Sequence, residues 1–304
     1  QALPEHRSLF SALYSYDLLG FQTRRDVDRF QSYVRLFGGG TLIDSDWIKA
    51  PDGRRVRTSA FPIGIDTEHI ARQVLGPVFE QLARQARSAA SNKAVRDLRQ
   101  SLQHRKLAIG VDRLDYSKGL PERFHGFERY LQRYPQQKGD MTFLQIAPVS
   151  RGSVNEYRKL RSDLERLAGH INGGHAEADW TPLRYVNQNY AHSTLTGFYR
   201  QAAVGLVTPL RDGMNLVAKE YIAAQDPENP GMLVLSLLAG AADELKQALL
   251  VNPHDLDGVA DAIATAANMP RAERIERWRA MMEHLRAHDI HRWRRDYLVA
   301  LEGV

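Results

Sequence analysis

The sequence predicts an α/β protein with one complete Rossmann-like domain, a doubly wound parallel sheet, preceded by the tail of another domain. Three observations carry this. Six short apolar, β-branched runs recur after about residue 105, at 107–111, 141–147, 183–187, 204–208, 232–236 and 248–252. Segments of helical spacing separate them, and short apolar strands bounded by helices form parallel sheets covered on both faces. The chain's 304 residues also exceed one small core, so two domains, or one and a large fraction of another, are expected.

Residues 1–85 hold a helix-like start, the stretch Tyr16 to Phe21, a further helix to about Phe37, and the glycines Gly38 to Gly40. A polar, hairpin-like piece, DSDWIKAPDGRRVRTS, then precedes Ala60 to Ile65. These contain too few strands to close a core, so the expectation is a domain whose beginning is missing. The polar helical stretch 86–104 reads as an interdomain connection. In the complete domain, Pro121 favours the first turn of a helix continued by Phe124, Phe127 and Leu131. The spacing of Ser153 and Glu156 is that of a capping box opening another helix. Residues 271–301 read as one long amphipathic helix, with Ile275, Trp278, Met282, Leu285, Trp293, Tyr297 and Leu301 on its apolar stripe.

Composition narrows the function classes. Hydrophobic residues make up 43% and charged residues 25%, as in a soluble globular protein. No apolar run approaches the roughly 18–20 residues of a membrane span. The opening Gln1-Ala-Leu-Pro4 has no basic-then-apolar leader, so no signal peptide is expected. With no cysteine there is no thiolate or disulfide chemistry, and a cytoplasmic location is expected. The net charge of +5 is interleaved along helices rather than pooled, which argues against nucleic acid and suits phosphorylated ligands. The clusters Arg54 to Arg57 and Arg292 to Arg295 read as solvated faces.

Two strand-to-helix junctions carry the chemistry: VDRLDYSKGL at 111–120 and TPLRDGMNLVAKEY at 208–221. In doubly wound sheets, ligands bind at the carboxyl ends of strands. There Arg113 and Lys118 can clamp a diphosphate, Arg by paired hydrogen bonds and Lys as a point charge. They can equally form surface pairs with Asp115 and Asp112, which are worth little. The N–H groups of Met214, Asn215, Leu216 and Val217 would open a helix and offer an anion site. Asp212, before Gly213, can accept from sugar hydroxyls, and Glu220 can chelate a ribose diol. The alternatives are that Asp212 or Asn215 only caps the helix and that Glu220 pairs with Lys219 or a nearby base.

The strings GFQT (20–23), PIGID (62–66), RLDYSKGLPERF (113–124), QIAPVSRG (145–152), GHINGGH (169–175), TPLRYVNQNY (181–190) and VTPLRDGMNLVAKEYIAAQDP (207–227) resemble the trehalose-6-phosphate synthase family of retaining glycosyltransferases, family 20. The resemblance implies a GT-B fold, with residues 1–90 the C-terminal part of an N-terminal, acceptor-side Rossmann-like domain and 91–104 a connection. It makes 105–285 the nucleotide-sugar-binding domain and 286–304 a helix returning towards the N-terminal domain. It implies glucosyl transfer from UDP-glucose to glucose 6-phosphate with retention, in a closed interdomain cleft, giving α,α-trehalose 6-phosphate and UDP without a metal or other cofactor.

On that resemblance, Arg113 and Lys118 hold the donor diphosphate and stabilise it as it leaves. Asp212 and the following backbone, Gly213 to Val217, hold the glucosyl hydroxyls and phosphate, while Glu220 holds the ribose. Backbone around Ile146, with Tyr190 and Leu195, frames the uracil, and Arg151 reaches the acceptor phosphate. Residues alone would pair Arg151 with Glu156 instead. The chain departs from the family at Leu238, where a Phe is usual, a mild change of shape. It also resembles only about the last two-thirds of a family member, so most acceptor contacts fall outside it. Another acceptor such as glycerol 3-phosphate, or a non-catalytic nucleotide-sugar-binding role, therefore stays open. A homo-oligomer is compatible with the sequence, and no nucleic-acid or membrane partner is expected. His284, His288 and His291 share a helical face at a spacing that can bind a metal, but without a carboxylate they are expected to be exposed. Trp278 and Trp293 are expected to be packing residues.

Overall fold

The computed structural model describes residues 4–67, 93–149 and 155–304. They divide into two compact units, one of residues 1–64 with 288–304 and one of residues 65–287. Arg151 and the expected helix-capping Ser153 lie outside the described residues.

The smaller unit begins with α1 (His6–Leu13), β1 (Leu18–Phe21), α2 (Arg24–Leu36), β2 (Thr41–Leu42), β3 (Trp47–Lys49) and β4 (Arg55–Ala60). Its sheet order is β1-β4-β3-β2, with β1 parallel to β4 and the other pairs antiparallel. The hairpin-like piece is thus the antiparallel pair β3–β4. Thr23 caps α2 by accepting from the Asp26 N–H at 3.2 Å. Although the sequence showed too few strands for a core, Tyr14, Phe30, Val34, Ile48, Ala50 and Val56 bury one between α2 and the sheet. Gln31 enters it because both the Ser45 carbonyl and the Thr58 hydroxyl lie 2.8 Å from its amide nitrogen.

The larger unit contains α3 (Lys93–Leu102), β5 (Lys106–Val111), α4 (Leu120–Arg133), β6 (Met141–Ile146), α5 (Asn155–His175), β7 (Leu183–Val186), α6 (His192–Gln201), β8 (Val204–Val207), α7 (Leu216–Ala224), β9 (Met232–Ser236), β10 (Leu249–Val251), α8 (Leu256–Asn268) and α9 (Arg271–Ala287). All six expected strands form, in the order β10-β9-β8-β5-β6-β7, every pair parallel. Counted within the unit this is the doubly wound order 3-2-1-4-5-6, whose direction of winding reverses between β5 and β8. β6 is buried along its whole length and β5 beyond Lys106, as expected of strands covered on both faces.

α4 closes one face with Phe124, Phe127, Tyr130 and Leu131 against Met141 and Phe143. Each such side chain contributes about 1.5–3 kcal/mol by leaving water. α8 packs on α4 at Gly126, where a Cβ would lie 2.6 Å from a Val259 methyl. α3, expected as a connection, packs on α6 within this unit, Val95 filling the space above Gly197.

The expected single helix over 271–301 is two helices, α9 and α10 (Ile290–Glu302). Asp289 has extended backbone, and its carboxylate accepts the Arg292 N–H at 2.8 Å, so it starts a new helix. The break removes the shared face expected of His284, His288 and His291. His284 is not fully exposed either: it is half-buried, its Nε2 3.7 Å from Glu244. Trp278 and Trp293 are packing residues that donate to the carbonyls of Ile222 and Phe61 at 2.9 and 3.1 Å. Leu301, expected on the apolar stripe, is 46% exposed.

Candidate functional site

The winding reverses between β5 and β8, where doubly wound sheets take their ligands at the carboxyl ends of the strands, and both sequence junctions meet there. Beyond β5 the chain reaches Asp115, whose carboxylate accepts from the Ser117 N–H and hydroxyl, each at 2.9 Å, and starts a single 3-10 turn over Tyr116–Lys118. Those bonds hold the Asp115 carboxyl below its ordinary value against the opposing effect of burial. Gly119 then takes φ of +62° and feeds α4; a Cβ there would meet the Thr208 carbonyl at 2.8 Å. The loop after β8 docks on this turn, since the Leu210 and Arg211 N–H groups both donate to the Ser117 carbonyl, at 2.8 and 3.1 Å.

Lys118 crosses the crevice to Asp212, Nζ to Oδ2 2.5 Å, with both side chains about five-sixths buried. The same oxygen accepts from the Asn215 amide at 3.0 Å. Lys118 does not pair with Asp112, and exposed Arg113 makes no hydrogen bond to the described residues. Among the described residues the site therefore presents one paired cation, Lys118, and one exposed cation, Arg113.

Asn215 has φ of +77°, a conformation Asn tolerates better than most residues, and caps α7 by accepting the Ala218 N–H at 3.1 Å. The N–H groups of Leu216 and Val217, the first two of α7, have no carbonyl within the helix to bond. Met214 and Asn215 are buried beneath them, and Gly213 is exposed. Helix start and lysine together make a positive corner beside a carboxylate, which suits a phosphate carrying a polyol.

One turn into α7, Lys219 and Glu220 diverge. Lys219 is fully buried and pairs with Glu244 at 2.5 Å. Glu220 turns to His192, the first residue of α6, with Nε2 and Oε1 3.5 Å apart. Burial raises the Glu220 carboxyl above its ordinary value, and His192 opposes the shift. Tyr190 precedes α6 and lies edge-on to Phe198, ring centres 5.2 Å apart, while half-buried Leu195 is in the first turn. Ile146 ends β6, but its side chain is buried and its carbonyl already accepts from the Asp112 N–H and the Gln145 amide, both at 3.1 Å. Among the expected residues it has the least to offer a ligand.

Arg123 is not among the residues expected from the sequence. Its guanidinium is buried and donates to Asp112 at 2.5 Å, Gln145 at 2.9 Å, the Thr208 hydroxyl at 3.0 Å and the Lys118 carbonyl at 3.2 Å. One side chain thus ties the ends of β5, β6 and β8 to the Lys118 turn. The available signal was its place on the apolar face of α4, one residue before Phe124. Asp112 is buried beside it, which raises its carboxyl, while the guanidinium pulls it back. His192 was missed as well. Among the described residues no group of three or more His, Asp or Glu is arranged to hold a metal ion, and no helix is long and apolar enough to cross a membrane.

The sequence model of glycosyltransferase family 20 matches residues 1–303. A trehalose-6-phosphate synthase of Sinorhizobium fredii is 46% identical over 296 residues, covering 97% of this chain and 61% of that protein. One from Klebsiella pneumoniae is 47% identical over 307 residues, with the same 61% of its length covered. Among solved structures, an α,α-trehalose-phosphate synthase (UDP-forming) of Burkholderia xenovorans in complex with glucose-6-phosphate superposes with a TM-score of 0.93 at 48% identity, over 99% of this chain and 64% of that one. An E. coli structure bound with UDP-2-fluoro glucose gives 0.90 at 45% identity, over 100% and 64%. The chain spans about three-fifths of the length of the curated relatives it matches.

Proposed function

This chain belongs to glycosyltransferase family 20 and has an α/β fold of GT-B type, and we propose that it is the donor-binding part of a UDP-glucose-dependent trehalose-6-phosphate synthase. The observation that carries this reading is the Lys118–Asp212 pair across the winding reversal, beside the open N-terminus of α7. It joins, in one crevice, a cation for a diphosphate, a carboxylate for sugar hydroxyls and backbone donors for a phosphate. The named relatives support UDP-glucose as donor and glucose 6-phosphate as acceptor, since one is solved with a UDP-fluoroglucose and another with glucose-6-phosphate.

In this reading the glucosyl C1–oxygen bond breaks with its electrons passing to the UDP diphosphate, and the acceptor hydroxyl attacks the face being vacated, its proton passing to the departing diphosphate oxygen. Configuration is retained without a protein nucleophile. Lys118, swinging from Asp212, and the unengaged Arg113 would take the developing charge, a role filled by a metal ion elsewhere. Freed of Lys118, Asp212 would turn its acceptor oxygens to glucosyl hydroxyls. Gly213 to Val217 would cradle the phosphate, Glu220 would take the ribose diol, and Tyr190 and Leu195 would border the base. Arg151 remains the residue proposed for the acceptor phosphate.

The test is steady-state kinetics of Arg113→Ala and Lys118→Ala in the complete synthase, with glucose 6-phosphate and glycerol 3-phosphate as competing acceptors. Each substitution should lower kcat about 100-fold or more while changing the sugar KM far less. Near-normal kcat would remove both residues from the leaving-group role. Faster turnover with glycerol 3-phosphate would reassign the acceptor.

A further inference from the structure

His192 stands between the residues proposed for the base and the one proposed for the ribose. Tyr190 lies two positions before it, Leu195 three after it, and it opens α6, which packs along α7. Its Nε2 is 3.5 Å from Glu220 Oε1, with the ring 42% exposed and the carboxylate 21%. The neighbouring base in sequence, Lys219, is committed to Glu244. The carboxylate of Glu220 therefore takes its orientation from another helix.

That orientation matters for what Glu220 is asked to bind. A carboxylate has two oxygens with about four acceptor positions. A cis-diol presents two O–H donors on adjacent carbons and needs both oxygens, or one oxygen twice, at a defined rotation. Rotation about the last bond of a Glu side chain is broad and nearly free unless something fixes it. A ring N–H held at Oε1 fixes it and still leaves Oε2 and one position on Oε1 for the diol.

We propose that His192 is a positioning residue for ribose, holding Glu220 so that the site prefers a ribonucleoside diphosphate to its 2′-deoxy counterpart. The proposal rests on the reading of the crevice as a nucleoside-diphosphate-sugar site. It assigns specificity to a side chain that need not touch the phosphates or the sugar being transferred.

The test is calorimetric titration of this chain, as wild type, His192→Ala, His192→Gln and Glu220→Gln, with UDP and with 2′-deoxy-UDP. The wild type should favour UDP by roughly tenfold or more, the scale of a hydrogen bond to a charged acceptor. His192→Ala should reduce that preference to roughly threefold or less while leaving 2′-deoxy-UDP affinity unchanged. His192→Gln keeps a donor for Oε1 and should retain most of the preference, and Glu220→Gln should lose it. An equal loss of affinity for both nucleotides in His192→Ala would show a merely structural role and overturn the proposal. An unchanged preference would overturn it too. If the wild type binds UDP without any preference, Glu220 does not read the diol and the proposal fails while the donor site stands. If the wild type binds neither nucleotide, the donor-site reading fails and takes the proposal with it.

Discussion

Glu220 illustrates how a residue proposed to bind a ligand works against the fold that carries it. Its carboxyl is raised by burial, so the folded state holds the proton more tightly than the unfolded chain does. Its contribution to stability is then fully present below the unfolded value, near pH 4.3, and is lost as pH rises through the folded value. Glu220→Gln does not titrate, and it should therefore melt higher than wild type at pH 8 and differ little at pH 4. A gain of about 1 kcal/mol would read as roughly 2–4 °C in a unit of this size. A difference that is constant with pH, or reversed in sign, would show that burial is not what raises Glu220. At this scale the sequence singled out Arg113, Lys118, Asp212, Asn215 and Glu220, because each sits on a strand-to-helix junction whose geometry is local. His192 and Arg123 escaped notice because their partners are set by topology: Glu220 lies 28 positions from His192, and Thr208 85 from Arg123. The resemblance to a known family supplied the expected roles of Ile146, Tyr190, Leu195 and Arg151, which no local pattern suggested.

Among the elements, α4 does more than cover the sheet. Through Arg123 it ties three strand ends and the Lys118 turn into one hydrogen-bonded network. Removing the guanidinium while leaving Asp112 in place strands a buried carboxylate. Arg123→Met should therefore cost about 3–5 kcal/mol in urea unfolding. Adding Asp112→Asn should return part of that loss, the non-additivity expected of groups sharing one network. A single substitution costing under about 1 kcal/mol would mean that solvent reaches the cluster. The strands were legible for a simple physical reason: parallel strands covered on both faces become uninterrupted apolar runs. The C-terminal helices were not, because the apolar period continues across the break and only the capping geometry of Asp289 ends it. In the smaller unit, the two- and three-residue strands β2 and β3 are too short to show any alternation.

For the molecule as a whole, a family-20 chain covering about three-fifths of its relatives' length carries the proposed donor site in its larger unit. Each group proposed to bind the diphosphate and ribose comes from the carboxyl side of one sheet: the β5 and β8 loops and the start of α7. The proposed function therefore predicts donor binding by this chain itself, separately from glucosyl transfer. The most direct measurement is titration calorimetry of UDP-glucose into this chain and its Lys118→Ala variant, at one pH and ionic strength. The wild type should bind saturably, and the variant with an affinity lower by about tenfold or more, the scale of a lost charge-assisted contact. No saturation in the wild type, or equal affinity in the two, would contradict it.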